Sequence, residues 1–246
     1  MREGLTFDDI LLVPQFSTIK SRDEVDLSVN FGPFKFASPI IPANMKTVIS
    51  FDMAQAVVDS GGLVILHRFE NQLEQERKFY NIQHSGMFKP VAASIGVKEP
   101  DYLHWFFYSN CFILCIDIAH GDSLAALETI RAIRRMQDKW PVYLIAGNVA
   151  TGEAAKRLFK EGVDAVKIGV GPGGNCSTRR VTGNGVPQLT AILDVNDVRN
   201  EDFPDRKIIA DGGIRNSGDV VKALAAGADF TMLGQFFAGC DEAPGA

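Results

Sequence analysis

The chain alternates between short apolar runs and longer segments whose apolar residues recur at helical spacing. The runs are Ser38–Ala43, Gly62–His67, Pro90–Ile95, Cys111–Ala119, Val142–Gly147, Ala165–Val170, Lys207–Asp211 and Phe230–Gly234, eight in all. Most are continuously apolar, the pattern of parallel strands buried on both faces. Asn71 with Glu74 predicts a capped helix reaching about Asn81. Ser123–Gln137 places Leu124, Ala126, Leu127, Ile130, Ile133 and Met136 along one helical stripe. Thr151 is the candidate cap of a helix over Glu153–Lys160, and Ser217 of one over Asp219–Ala226. Gly162 and Gly227 follow these helices and suit a left-handed helix end. A weak repeat supports the count: Glu161-Gly-Val-Asp-Ala-Val-Lys-Ile-Gly169 resembles Ala226-Gly-Ala-Asp-Phe-Thr-Met-Leu-Gly234. Ser60-Gly-Gly-Leu-Val-Ile-Leu66 is a looser copy. Repeated strand–helix units build a parallel sheet, and eight of them favour closure into a (β/α)8 TIM barrel over a doubly wound open sheet.

Composition narrows the class. The 246 residues are 46% hydrophobic and 22% charged, enough for a large core and unlike a disordered or disulfide-stapled chain. A single domain over residues 1–246 is expected, with an irregular N-terminal extension over about 1–35. The net charge of −5 argues against a nucleic-acid partner. Arg2, Glu3, Asp8 and Asp9 rule out a signal-peptide pattern, and no apolar run approaches a membrane span. Four cysteines without Cys-x-x-Cys fit a reducing compartment, so a cytoplasmic protein is expected. Cys111 and Cys115, four apart in one apolar run, are expected on one face of the core, and Cys240 is assigned no role. His67, His84, His104 and His120 show no metal-ligand spacing, so no zinc site is expected.

The candidate chemistry lies in the loop Gly169–Gln188. It follows the sixth run, on the face where barrel active sites sit. Gly171, Gly173 and Gly174 let backbone N–H groups approach an anion, and Cys176 follows as a candidate nucleophile. The plainer reading is a surface loop with a chance cysteine. Arg179 and Arg180 are within reach of phosphates or form a solvated pair.

Gly171-Pro-Gly-Gly-Asn-Cys-Ser-Thr-Arg179 resembles the catalytic loop of the inosine monophosphate dehydrogenase and guanosine monophosphate (GMP) reductase family. The resemblance extends through Leu5-Thr-Phe-Asp-Asp-Ile-Leu-Leu-Val-Pro14, Ser21-Arg-Asp-Glu-Val-Asp-Leu27, Pro42-Ala-Asn-Met45, Asp117-Ile-Ala-His-Gly121, Ala146-Gly-Asn-Val149 and Ile209-Ala-Asp-Gly-Gly213. The short connection between the second helix and the third run leaves no room for the regulatory (CBS-type) insertion of most dehydrogenases. Val149-Ala-Thr-Gly-Glu153 and Thr182-Gly-Asn-Gly-Val-Pro-Gln-Leu189 resemble the reductase branch. Ala119-His-Gly121 and Asp241-Glu-Ala-Pro-Gly245 resemble the dehydrogenase branch. The balance favours the reductase, with a dehydrogenase lacking the insertion, a flavin-binding barrel or a nucleotide-binding remnant as alternatives.

The resemblance implies NADPH-dependent reductive deamination of GMP to inosine monophosphate (IMP) through a covalent bond to Cys176, with Thr178 assisting proton transfer. It implies that Asp211 accepts the ribose hydroxyls, and that Gly213 and Gly234 contact the phosphate. It sets Asn44 and Met45 near the purine, a core methionine being the other reading of Met45. Asp117, Ala119, His120 and Gly121 are implied near the cofactor. The carbonyls of Gly171, Gly173 and Cys176 match a family potassium site, and a homotetramer is the implied assembly. Lys46 stands where the family has aspartate, and Gly174 where it has a phosphate-binding serine. Family members continue past the eighth strand with a flap and a final helix. The barrel is therefore read as cut short there, binding purine nucleotide better than it turns it over.

Overall fold

The computed structural model describes residues 3–85, 90–97, 100–174 and 176–244, with residues 100–102 described by backbone alone. Each of the eight apolar runs marks one strand of a parallel sheet, the fifth strand running two residues past its run. In chain order, after a hairpin of β1 (Val29–Phe31) and β2 (Phe34–Phe36), these are β3 (Ile40–Pro42), β4 (Ile65–Leu66), β5 (Ala92–Ile95), β6 (Ile113–Asp117), β7 (Tyr143–Val149), β8 (Ala165–Ile168), β9 (Lys207–Asp211) and β10 (Phe230–Leu233). Hydrogen bonding runs β4-β5-β6-β7-β8-β9-β10-β3, so the ladder begins and ends on strands consecutive in sequence. The result is a nearly closed (β/α)8 barrel.

The helices alternate with the strands. They are α1 (Phe51–Asp59), α2 (Gln72–Gln83), α3 (Pro100–Tyr108), α4 (Leu124–Arg134), α5 (Gly152–Lys160), the short α6 (Thr178–Thr182), α7 (Gln188–Asp202), α8 (Ser217–Ala225) and α9 (Gln235–Ala238). Asn71, Ser123 and Thr151 cap their helices by accepting from Glu74, Ala126 and Ala154 N–H. Gly162 and Gly227 take positive φ at two helix ends, as their spacing predicts. The cap of α8 corrects the sequence reading. It is Asn216, whose side chain accepts from Asp219 N–H, and Ser217 lies inside the helix. Both residues are good caps by type, and only the backbone geometry distinguishes them.

Alternation along each strand divides the core. Ile41, Ile65, Ala92, Ile113, Cys115, Ile145, Ala165, Ile209, Phe230 and Met232 form one cluster inside the barrel. Their neighbours Leu66, Leu114, Leu144, Val166 and Ile208 face outward into the larger cluster under the helices. Cys111 and Cys115 therefore do not share a face: Cys111 joins the outer cluster and Cys115 the inner one. Strand alternation does not reach Cys111, because β6 begins at Ile113 and Asn110 turns the chain with φ +52°.

The N-terminal extension is more ordered than expected. Phe31 and Phe36 of the β1–β2 hairpin enter the inner cluster and meet Tyr143 and Phe230 edge-on. Those partners start β7 and β10, so the hairpin closes the barrel at the N-terminal ends of its strands. Near the start of the chain, Leu5 exchanges hydrogen bonds with Thr190 on α7, and Lys222 on α8 donates to Phe7 O at 2.7 Å. Between these anchors Leu11, Val13 and Phe16 are exposed.

Candidate active site

The interior changes character at the C-terminal ends of the strands. Continuing the inward-facing parity of Cys115, Ala165 and Ile209 by one step reaches Asp117, Lys167 and Asp211. Lys167 Nζ lies 2.8 Å from Asp117 Oδ1 and 2.8 Å from Asp211 Oδ2, with only 4% of its side chain exposed. Burial disfavours its charge, but the two carboxylates outweigh that penalty and hold the ammonium above the ordinary lysine range. Asn148, from β7, donates to the same Asp211 Oδ2 at 2.8 Å and to Gly169 O at 2.7 Å. Its Oδ1 is buried without a partner among the described residues, an acceptor that a bound ligand can satisfy.

The cysteine loop sits directly on this floor. At Gly169 φ is +143°, and a Cβ there would stand 2.1 Å from Asp211 O, so only glycine permits the approach of β8 to β9. Pro172 and Gly173 pack against Gly212 and Gly213, the turn that follows Asp211. Gln188 fastens the far end of the loop by donating to Ile168 O at 2.8 Å and Asp211 O at 3.2 Å. Arg179 donates to Val170 O at 2.9 Å, so it braces the loop rather than standing free for a phosphate. The segment expected to be irregular contains α6, which begins at Thr178. Cys176 is exposed, and its Sγ lies 3.2 Å from Thr178 Oγ1. Asn175, between the glycines and this thiol, lies outside the described residues.

Cys111 and Cys115 are poorly suited to nucleophilic work. Burial pushes Cys111 up to about 12, and burial together with Asp117 raises Cys115 as well. Both are fully enclosed.

The remaining candidates lie around the same mouth. Asn44 is buried and donates to Ser94 Oγ at 3.1 Å. A Cβ on Gly234 would meet Met45 Sδ at 3.7 Å, so the first and eighth βα loops adjoin, and Met45 is half exposed rather than core. Gly121 packs on the Gly147–Asn148 backbone, while Ala119 and His120 stand exposed at the rim. His67, at the end of β4, is buried, and its pKa is lowered chiefly by that burial, against the pull of Glu70 3.3 Å away. A Cβ on Gly174 would meet nothing within 4 Å, so this position faces open space. Lys167, Asn148 and Gln188 escaped the sequence reading. The signal for Lys167 was present: a lone lysine inside an apolar run.

Fold and site together define a β/α-barrel protein with an accessible thiol and an ionic floor at its C-terminal mouth. Comparison with known sequences is specific about which barrel this is. The IMP dehydrogenase / GMP reductase domain matches residues 4–246, and the chain belongs to that family. It is 39% identical to the GMP reductase of Lactobacillus gasseri over 249 residues, which is 99% of this chain and 72% of the relative. The GMP reductase of Ligilactobacillus salivarius is 39% identical over 97% of this chain and 72% of its own length. That of Streptococcus agalactiae serotype V is 40% identical over 97% and 71%. Among the described residues no helix is long and apolar enough to cross a membrane.

Proposed function

We propose that the chain carries out the NADPH-dependent reductive deamination of GMP to IMP and ammonia. The carrying observation is the exposed Cys176 thiol beside the Thr178 hydroxyl, on a loop seated on Asp211. The relatives named GMP reductase support the same reading.

In this reading Asp211 accepts from the ribose hydroxyls. The backbone of Gly213 and Gly234 receives the phosphate, and Asn44 and Met45 border the purine. Sγ of Cys176 bonds to C2 of the guanine as the C2–N bond breaks. The thiol proton passes through Thr178 Oγ1 to the leaving nitrogen, which departs as ammonia. This divides one difficult substitution into two easier steps. NADPH, when bound, supplies a hydride to C2. Asp117, Ala119, His120 and Gly121 would hold it, their loop opening at the exposed rim above the floor. C2 then releases Sγ as thiolate, and solvent returns its proton. Gly173 O accepts from Cys176 N–H at 3.0 Å and keeps a second lone pair, so the carbonyls of Gly171, Gly173 and Cys176 would be the groups to hold a potassium ion. Leu11, Val13 and Phe16 need cover in solution, which supports self-association, with a homotetramer as the family's implied form.

Following reduced-cofactor absorbance tests the reading. GMP with NADPH should consume the cofactor and release ammonia. Production of NADH from IMP and NAD would instead support the dehydrogenase alternative, and binding without turnover would support a nucleotide-binding remnant. A second expected result concerns Gly174. The open space there accommodates a side chain, so Gly174→Ser should fold normally and add one hydroxyl donor. GMP should bind roughly two- to tenfold more tightly, read by calorimetric titration. Unchanged or weaker binding would remove Gly174 from the phosphate site.

A further inference from the structure

One buried charge beneath the mouth takes no part in the proposed bond making. Lys167 projects from β8 into the barrel, where the layers below it are Ala165, Ile145, Ile209 and Cys115. An ammonium buried in such a place costs more than an apolar side chain of similar size, so its presence asks for a role beyond filling space.

We infer that Lys167 is the positioning residue of Asp211, fixing that carboxylate so that it can take the vicinal diol of a nucleotide ribose. The inference rests on the nucleotide reading given above and assigns a residue that the reading did not use. Its geometry is specific. The donors to the Asp211 carboxylate recorded among the described residues, Lys167 Nζ and Asn148 Nδ2, each at 2.8 Å, both fall on Oδ2. Asn148 is itself tied to Gly169 O at 2.7 Å. Two donors on one oxygen set the plane of a carboxylate whose terminal torsion is otherwise soft, and they leave Oδ1 for further donors.

The charge matters as much as the shape. Asp117 and Asp211 both touch the same nitrogen, so the two carboxylates are within about 6 Å of each other. Without a cation between them, two like charges at that distance would push the carboxylates apart and turn Asp211 away from its set plane. A carboxylate turned out of that plane is a poorer acceptor for two hydroxyls. Lys167 therefore holds both acids in place, one on the ribose side and one on the side assigned to the cofactor.

Lys167→Met removes the charge and keeps the length of the side chain. The readout is the ratio of dissociation constants for 2′-deoxy-GMP and GMP, measured calorimetrically on the wild type and the variant. The wild type should favour GMP by about tenfold or more, the worth of one hydrogen bond to an ionised group. In Lys167→Met the ratio should fall below about threefold. A loosened barrel weakens both nucleotides alike and leaves the ratio standing, so the ratio separates positioning from a merely structural role. Should Lys167→Met fail to fold, Lys167→Leu, which likewise has neither donor nor charge, is read in the same way. An unchanged ratio in a folded variant overturns the inference. So does a wild type that binds both nucleotides equally. A wild type that binds neither overturns the nucleotide reading itself.

Discussion

Cys176→Ala should lose at least about a thousandfold in kcat while binding GMP within about threefold of the wild type. The side chain is exposed and its recorded hydrogen bond is to Thr178, so its removal disturbs no core packing. Without the thiol no covalent intermediate forms, and the remaining groups only hold the nucleotide. Steady-state kinetics with GMP and NADPH, paired with calorimetric titration, measure the two quantities separately. Mass spectrometry of the acid-quenched wild type should show nucleotide bonded to Cys176, and the variant should show none. Turnover that survives in Cys176→Ala would move the chemistry to another group.

Asp211→Ala should be the most damaging change on the floor, because it acts on binding and stability together. It removes the acceptor of both Lys167 and Asn148 and leaves a buried ammonium paired with Asp117 alone. Breaking a buried pair in this way costs about 3–5 kcal/mol. The ribose would lose up to two hydrogen bonds to an ionised acceptor, so GMP affinity should fall by about a hundredfold or more. Denaturant unfolding reads the first effect and calorimetry the second. Asp211→Asn keeps the shape of the side chain and should recover part of the stability but little of the affinity. Lowered stability with wild-type affinity would confine Asp211 to a structural role.

Much of the fold is legible along the chain because its determinants are local. A continuously apolar run such as Lys207–Asp211 can be satisfied only between two covered faces, and the structure makes β9 of those same residues. Thr151 and Gly162 bracket α5 through backbone hydrogen bonding and a positive φ. Local signals fail where two choices are locally equal, as with Asn216 and Ser217 at the cap of α8. They also fail where order comes from distant packing. Phe31 and Phe36 look like an irregular extension until the open end of the barrel supplies Tyr143 and Phe230 as partners.

The candidate site divides in the same way. Cys176, Thr178 and the glycines of their loop lie close together in sequence, so their pattern marks the loop without any knowledge of the fold. Lys167 is 50 residues from Asp117 and 44 from Asp211, with Asn148 63 residues from the latter. The amino-acid sequence by itself determined the strands, most of the caps, the number of βα units and the reactive loop, since each depends on neighbours along the chain. Only the tertiary structure decided which side of each strand faces inward at the mouth, and so which charges meet. Inward parity and barrel closure bring one lysine and two aspartates from three separate strands to a single point, and nothing local to any of those strands specifies the other two.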